Sequence, residues 1–441
     1  MKKTFKIATL GCKVNQYESA YLQRRLQEKG WIPVPPGEPS EVTIVNTCIV
    51  TQAASHQSRQ EIRKAIRENE EGVVAAIGCY GQAFPEELRS IKGLGLIAGN
   101  VEKGRVPDLL LSAVDSGDRA DFSVPFPHGM HFEMMDIKKF PGRSRAFLKI
   151  QDGCESFCSY CIVPFSRGPY RSLPRDDVMR VMENLAAEGY REVVLTGIHL
   201  GKYGIDLGAK ENLKSVLRAI GKRDFPLRVR LSSLEPGEID DDLIDMMASE
   251  KWLCRHFHIP LQSGDDGVLK RMGRTYSSRT FGALLKKIHA AIPLVAIGVD
   301  VMTGFPGENH AAYSNTLALL DDLPVSYLHV FPYSRRPGTS AAGFPAQIPP
   351  PEKKKRAAEL RSLGTLKRQH FYESCKGSVL QVVAETWRTK ESNFFKGISD
   401  NYVPVLFPSH SFLQNHLYSV KIDKVEADHV IGQMVPPPQS E

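Results

Sequence analysis

The chain has no apolar run of membrane-spanning length, no low-complexity block and no apolar leader near its start. Met1-Lys2-Lys3-Thr4-Phe5-Lys6-Ile7 passes straight into a strand-like segment, so a cytoplasmic protein with no membrane partner is expected. A strong charge bias is also missing. Lys and Arg number 57 against 50 Asp and Glu, a formal net charge of +7. That balance permits a nucleic-acid partner without requiring one. Eight cysteines in a reducing compartment argue against disulfides and for metal ligation or thiol chemistry. The most telling absence is local. Cys154, Cys158 and Cys161 form a C-x3-C-x2-C run, and the next cysteine is the distant Cys254. Zinc knuckles use paired C-x2-C units with a fourth Cys or His close by, which this run lacks.

Three thiolates on one short loop suit three irons of a [4Fe–4S] cube. The fourth iron is then free to take a ligand that is not protein. That open corner is what enzymes need to chelate and cleave S-adenosylmethionine. Tyr160, just before the last cysteine, is placed to pack on the cofactor's adenine. A zinc site or three unrelated thiols are the plainer readings of the same residues.

At 441 residues the chain is too long for one core, and two to three domains are expected. Residues 6 to about 120 alternate short strands and helices: strands at 6–10, 43–46, 73–77 and 96–98, helices at 15–29 and 51–69. That pattern gives a small parallel-sheet α/β domain. A less regular stretch rich in Gly, Pro, Asp and His reads as a linker. Six further strands follow at 146–150, 192–197, 227–232, 256–261, 295–303 and 325–331, with helices between them. Six βα units suggest a parallel, partly closed barrel, whose chemistry lies on loops at the C-terminal strand ends. The Cys154 loop leaves the first of these strands. Residues 352–374 read as a basic helix, in which Lys353-Lys354-Lys355-Arg356 looks like a solvated face. Short runs at 379–383, 402–407 and 417–422 then suggest a small antiparallel β-barrel, and the tail from Pro436 reads as disordered. The expected division is 1–120, a linker 121–142, a barrel 143–370 and a terminal domain 371–437.

Three more cysteines each follow a predicted strand: Leu10-Gly11-Cys12, Asn46-Thr47-Cys48 and Ile77-Gly78-Cys79. Neighbouring parallel strands bring their C-terminal ends together, so the three loops should meet. The reading is a second three-cysteine iron–sulfur site; the plainer one is buried structural thiols. Cys254 and Cys375 show no such arrangement and read as packed thiols.

Together these stretches resemble the radical-SAM methylthiotransferase family over nearly the whole chain. Ser166-Arg167-Gly168, Leu195-Thr196-Gly197-Ile198-His199-Leu200-Gly201, Ser233-Leu234-Glu235-Pro236, His258-Ile259-Pro260-Leu261-Gln262-Ser263-Gly264 and Gly304-Phe305-Pro306-Gly307-Glu308 agree with it in order. The terminal β-barrel looks like a TRAM domain. The opening Leu10-Gly11-Cys12-Lys13-Val14-Asn15-Gln16-Tyr17-Glu18 looks most like the branch acting on N6-threonylcarbamoyladenosine in tRNA. The isopentenyladenosine and ribosomal-protein aspartate branches usually differ there.

The resemblance implies two [4Fe–4S] clusters with divided labour. The Cys154/Cys158/Cys161 cluster would bind S-adenosylmethionine and, on one-electron reduction, give a 5′-deoxyadenosyl radical that takes hydrogen from C2 of the adenine beside the anticodon, position 37. The Cys12/Cys48/Cys79 cluster would carry the sulfur that becomes the methylthio group. Tyr160, Arg167, Gly197, Ser233 and Gln262 are the expected cofactor contacts, with His199 and His258 orienting or participating. The implied partners are the tRNA anticodon stem-loop and an electron donor such as flavodoxin or ferredoxin. In the terminal barrel, Trp387, Arg388 and Lys390 with Phe394-Phe395-Lys396 mix aromatic and basic character that suits RNA; an aromatic core with solvated lysines is the plainer alternative. A non-catalytic iron–sulfur RNA-binding redox sensor is the competing class, and it would have no need of the strand-end motifs.

Overall fold

In the computed structural model the described residues are 3–35, 37–69, 71–116, 119–137, 139–140, 142–388, 394–408 and 416–435, the side chains of 115–116 and 386–388 excepted. Six parallel strands form the first sheet: β1 (Thr4–Thr9), β2 (Ile32–Pro33), β3 (Val42–Thr47), β4 (Val73–Gly78), β5 (Leu96–Ala98) and β6 (Ala120–Phe122). Their order is β2-β1-β3-β4-β5-β6. The central strand β3 is buried at every position, as expected when helices cover both faces of a parallel sheet. The helix Gln52–Glu68 starts where the Thr51 side chain accepts the Ala54 amide. The strands β1, β3 and β4 are direct neighbours, so the cysteine that follows each lies at one edge of the sheet. The edge strands β2 and β6 were not foreseen. At two and three residues they are too short to show a period.

The stretch 121–142, read from sequence as a linker, is packed. Met135, Ile137 and Phe140 are buried, and Phe140 meets Phe147 and Tyr190 edge-on. Its apolar residues dock it between the first sheet and the next domain, and the Tyr17 hydroxyl donates to the Met135 carbonyl.

The second domain has β7 (Ala146–Lys149), β8 (Gln151–Asp152), β9 (Arg171–Ser172), β10 (Glu192–Thr196), β11 (Arg228–Leu231), β12 (His256–Gln262), β13 (Ala296–Thr303) and β14 (Tyr327–Pro332). Two three-stranded parallel sheets, β11-β10-β7 and β12-β13-β14, make the partly closed barrel. Between β11 and β12 the contact thins to a bridge between Val229 and Leu253. A two-residue antiparallel clip, β8 with β9, closes the base of the Cys154 loop. Alternation sorts the barrel strands. Val229, Leu231, Phe257, Ile259, Val299 and Val301 are buried in the core with the surrounding helices. The opposite face carries Glu192, Arg228, Arg230, His256, His258, Asp300, Tyr327 and His329, which contact one another across the strands. The lumen is therefore polar and aromatic, where a filled (βα) barrel would have branched apolar side chains.

The helix Pro350–Ser374 leads to a closed barrel of β15 (Val379–Arg388), β16 (Phe394–Ser399), β17 (Pro404–Pro408), β18 (Leu417–Val425) and β19 (Val430–Met434), ordered β15-β16-β17-β19-β18. It is not wholly antiparallel, because β17 and β19 pair parallel through Val405 and Val430. The helix run is only half solvated: Lys354 and Lys355 are exposed, while Arg356 is buried against Glu308. Phe395 belongs to the barrel core and Lys396 is exposed. The side chains of Trp387 and Arg388, all of Lys390 and the tail from Pro436 lie outside the described residues. Among the described residues no helix is long and apolar enough to cross a membrane.

Candidate cluster sites and the cavity between them

Cys154 leaves the β8–β9 clip, and its amide donates to the Gly168 carbonyl at 2.9 Å. The Cys161 amide closes on the Cys158 carbonyl at 2.9 Å, and Ser159 is tied to Met272 and Ala341 by backbone bonds of 3.0 and 2.7 Å. These bonds fold the loop so that the three thiols face one another closely enough to interact electrostatically. Phe157, between the first two cysteines, holds φ at +43°, a conformation bulky residues adopt only where the surroundings enforce it. It is exposed and meets Phe165 edge-on, with ring centroids 5.9 Å apart. Clefts of about 760 Å³ and about 290 Å³ flank the loop, the smaller lined by Ser156, Cys158, His199, Glu235, Arg274 and Tyr276.

Burial pushes the Cys161 thiol up to about 12 and also raises Cys158, beside the Arg274 guanidinium at 3.6 Å. Cys154 is different. Burial would raise it, but the His199 imidazole 3.6 Å away and Ser156 outweigh that and lower it. Burial in turn works against the imidazolium of His199, yet Cys154 and the Glu238 carboxylate, 2.7 Å from Nε2, hold it up to about 9.

The second triad assembles as expected. Cys12, Cys48 and Cys79 interact with one another, and burial raises Cys12 and lifts Cys48 to about 11. Cys12 is open to water although protein crowds its thiol; Cys48 and Cys79 are buried. Gly11 holds φ at +92°, and a Cβ there would meet the Cys48 Cβ and Sγ at 2.8 and 2.9 Å. Cys79 Sγ receives two N–H groups, Arg167 Nε at 3.3 Å and Asn100 Nδ2 at 3.4 Å. Asn100 also donates to the Ser166 carbonyl at 2.5 Å, so the helix Val163–Arg167, which follows the Cys154 loop, forms a wall of this triad too.

Arg167 thus stands at the N-terminal triad, inside a buried ionic network. Its guanidinium reaches Glu18 at 2.5 Å, Asn15 at 2.6 Å and Asp152 at 3.4 Å. Lys103 and Lys149 also bind Glu18, and Lys149 reaches Asp152 at 3.0 Å. Burial opposes both carboxylates, but these cations hold Glu18 well below its usual range and Asp152 at about 2. Burial also opposes the charge on Arg167, and Cys79, Glu18 and Asp152 more than restore it.

The other expected cofactor contacts line the C-terminal strand ends. Tyr160 is half-buried with its ring edge-on to Phe305 at 6.5 Å. Gly197 follows β10 and lies against Gln151, whose Oε1 accepts the His199 amide at 2.6 Å. Ser233 is exposed beyond β11. Gln262 ends β12 at a register shift with φ at +65°, a strained backbone at a strand end where ligands bind. His258 sits deeper, in the lumen. It donates from Nε2 to Asp300 at 2.7 Å, and His329 Nδ1 is 3.3 Å from the same oxygen. Burial opposes the Asp300 carboxylate, but these two imidazoles hold it well below its usual range. Cys254 and Cys375 are packed thiols, as expected.

Asp300, Tyr327, His329, Arg230 and Glu192 were not singled out from sequence. The signal was present as alternation: Arg228-Val229-Arg230-Leu231, His256-Phe257-His258-Ile259 and Tyr327-Leu328-His329-Val330 put charge or rings at every second position of otherwise apolar strands. Lys13, on the first domain, interacts electrostatically with Arg145, Arg230 and Glu192 as well as with its neighbour Cys12. Burial lowers it, helped by Arg145 and Arg230, to about 8.

Both triads have the donor set of a site-differentiated iron–sulfur cluster: three thiols, no fourth cysteine, and N–H groups aimed at sulfur. At the N-terminal triad, four buried cations, Lys103, Lys149, Arg167 and Arg171, face two carboxylates, Glu18 and Asp152. A cationic surplus beside Cys79 suits an anionic thiolate cluster.

Comparison with known proteins agrees with this architecture. Residues 4–99 match the uncharacterized protein family UPF0004, and residues 148–320 match the Radical SAM superfamily. The chain is 35% identical over 97% of its length to the threonylcarbamoyladenosine tRNA methylthiotransferase MtaB of Bacillus subtilis, covering 95% of that protein. It is 34% identical to the protein of the same name from Aquifex aeolicus, over 92% of this chain and 98% of that one. A tRNA-2-methylthio-N(6)-dimethylallyladenosine synthase of Carboxydothermus hydrogenoformans is 32% identical over 98% of this chain and 100% of its own. Among solved structures, the radical S-adenosylmethionine methyltransferase TsrM from Kitasatospora setae, with cobalamin and a [4Fe-4S] cluster bound, superposes with a TM-score of 0.56. It shares 15% identity and covers 86% of this chain and 77% of its own, a likeness of fold.

Proposed function

Because the chain belongs to the radical-SAM tRNA methylthiotransferases, we propose that it adds a methylthio group to C2 of N6-threonylcarbamoyladenosine beside the tRNA anticodon, with a [4Fe–4S] cluster on each cysteine triad. The observation that carries this reading is the shared wall between the triads. The helix Val163–Arg167 follows the Cys154 loop and ends in Arg167, which donates to Cys79 Sγ. Two three-cysteine sites on either side of one short helix suit a reaction that needs a radical and a sulfur at the same carbon. Bound at these triads, the clusters and S-adenosylmethionine supply reductive radical formation and the transferable sulfur, chemistry no side chain offers.

The chain's own residues bind, orient and enclose. Cys154, Cys158 and Cys161 would hold one cluster with S-adenosylmethionine, and Tyr160, Gly197, Ser233 and Gln262, near the strand ends beside them, would contact the cofactor. Cys12, Cys48 and Cys79 hold the other, with Arg167 and Asn100 steadying Cys79. His199 bonds to Glu238 on one side and faces Cys154 on the other, which fixes its ring. The ring-lined lumen accepts a base splayed out of a tRNA loop, the usual way proteins reach an RNA base. An external one-electron donor of the flavodoxin or ferredoxin type completes the requirement.

The test is nucleoside mass spectrometry on tRNA incubated anaerobically with reconstituted enzyme, reductant and S-adenosylmethionine, offering both threonylcarbamoyl- and isopentenyl-adenosine tRNAs. The expected outcome is a methylthio mass gain on the threonylcarbamoyl nucleoside alone. Gain on the isopentenyl nucleoside would overturn the substrate while keeping the chemistry.

A further inference from the structure

Three side chains far apart in the sequence converge on one point of the barrel wall. His258, Asp300 and His329 stand on the adjacent parallel strands β12, β13 and β14, and Asp300 is the register partner of His329. All three belong to the polar face that lines the lumen. One donor atom of each lies within 4.8 Å of those of the other two. His258 Nε2 is 2.7 Å and His329 Nδ1 is 3.3 Å from the same carboxylate oxygen, Asp300 Oδ1. Nitrogen and oxygen ligands bound 2.0–2.2 Å from one metal ion stand about 3.0–3.4 Å apart along a tetrahedral or octahedral edge. The side chains are therefore spaced almost as a coordination shell would hold them. Two imidazoles and one carboxylate, with no thiol, suit a divalent ion such as Mn²⁺, Fe²⁺ or Zn²⁺.

The surroundings supply what such a site needs. A metal-bound imidazole carries its proton on the nitrogen away from the ion and donates it to an outer partner. Tyr327 Oη lies 3.3 Å from His258 Nδ1 and 2.8 Å from His256 Nε2. When an ion takes His258 Nε2, the ring proton moves to Nδ1, where the Tyr327 oxygen accepts it. The His258 and Asp300 side chains are only 13% and 22% exposed, but that of His329 is 50% exposed. An ion thus has a way in, and it keeps positions free for ligands that are not protein. We propose that His258, Asp300 and His329 form a mononuclear divalent-metal site in the barrel lumen, built without cysteine and open to oxygen or nitrogen ligands. An ion held there gives the lumen a cationic anchor for an oxygen-bearing ligand. The competing arrangement is a carboxylate that merely accepts hydrogen bonds from two rings, and it predicts no ion uptake.

The test uses the full chain with its iron–sulfur sites reconstituted, because free thiols would compete for added metal. Wild type, His329→Ala and Asp300→Asn are each titrated anaerobically with Mn²⁺, which thiolates bind poorly, and separately with Zn²⁺. Free Mn²⁺ is followed by electron paramagnetic resonance, with the clusters oxidised and silent, and Zn²⁺ by competition with a chromophoric chelator. Iron per chain and circular dichroism report the fold. The wild type should take up one ion per chain, and spin-echo modulation of bound Mn²⁺ should show imidazole nitrogen. His329→Ala and Asp300→Asn should weaken uptake by more than the roughly 10- to 100-fold that follows loss of an outer-shell partner. A wild type that binds neither ion overturns the inference. So does Mn²⁺ bound without nitrogen coupling, or an affinity unchanged in His329→Ala, which marks an adventitious ion only. His329 is half exposed, and its removal leaves the bond between His258 and Asp300 in place. If Asp300→Asn loses iron or fold, His329→Ala therefore decides alone.

Discussion

Asp152 is fully enclosed and still ionised, because Lys149 at 3.0 Å, Arg167 at 3.4 Å and Arg171 at 3.7 Å surround it. Those cations hold the carboxyl at about 2 against an ordinary 3.8. A folded-state value below the unfolded one means the folded state gains from the charged form. The gain, about 2 kcal/mol from a shift of that size, is fully present above roughly pH 4 and fades as the pH falls toward 2. In the cluster-free protein, acid unfolding of the wild type should therefore steepen between these limits, and Asp152→Asn should flatten that part of the profile while lowering stability at neutral pH. Identical profiles followed by circular dichroism would show that the network does not sense the proton. Arg167 belongs to the same network, and its place there was not legible in sequence. The motif Ser166-Arg167-Gly168 follows the Cys154 loop and suggests a role beside it. Yet its partners Glu18 and Asn15 lie 149 and 152 residues away, and only the folded chain brings them to the guanidinium. The gathering of the six cysteines into two triads was legible because one set shares a short loop and the other follows neighbouring strands of one sheet. A charged side chain with a long reach is not placed by spacing.

At the scale of loops and strands, two glycines decide whether each cysteine triad closes. Gly153 holds φ at +78°, and a Cβ there would fall 1.7 Å from the Pro169 carbonyl oxygen. The collision is with backbone of the strand-end clip, so it cannot be relieved by turning a side chain. Gly153→Ala should part the β8–β9 pair and carry Cys154 off its bond to Gly168. Gly11→Ala should push on Cys48 instead, from 2.8 Å. Each variant is expected to retain about half of the wild-type iron, and the two halves should differ spectroscopically, because the clash in Gly153→Ala falls on the backbone of the Cys154 loop and that in Gly11→Ala falls on Cys48. Iron analysis with electron paramagnetic resonance checks this, and full iron in either variant would count against the separation into two sites. The strands carrying the triads were readable because their apolar runs are long enough to show a pattern. Short elements escaped, β8 and β9 among them, since two residues carry no period. The parallel pairing of β17 with β19 escaped for another reason: closure of a small barrel settles that pairing, and local sequence does not encode it.

At the scale of the molecule, the terminal barrel is the floor of the central one. Arg228 donates to the carbonyls of Gln381 at 2.6 Å and Ile398 at 2.8 Å; Arg230 donates to those of Asp400 at 2.9 Å and Ser399 at 2.8 Å. Arg255 bonds the Asp400 carboxylate at 2.6 Å. Tyr402 holds φ at +64° and stacks on His256, ring centroids 4.5 Å apart, with the Arg230 guanidinium 5.2 Å from its centroid. A sequence reading that treats this barrel as an appended RNA-binding module predicts that its removal costs only tRNA affinity. The contacts predict more. Five charge-assisted bonds at about 1.5–3 kcal/mol each disappear, and water that enters the opened floor restores only part of that. The Arg230–Glu192 pair would also lose its enclosure. A chain ended after Lys376 should therefore melt at least about 10 °C lower than the full chain, or fail to stay soluble, before any RNA is added. Calorimetry on both proteins in the absence of tRNA makes the distinction. An unchanged melting temperature with weakened tRNA binding would mark the terminal barrel as a separable reader of RNA; a lowered one would mean that the cavity in which the base is modified needs all three parts of the chain to exist.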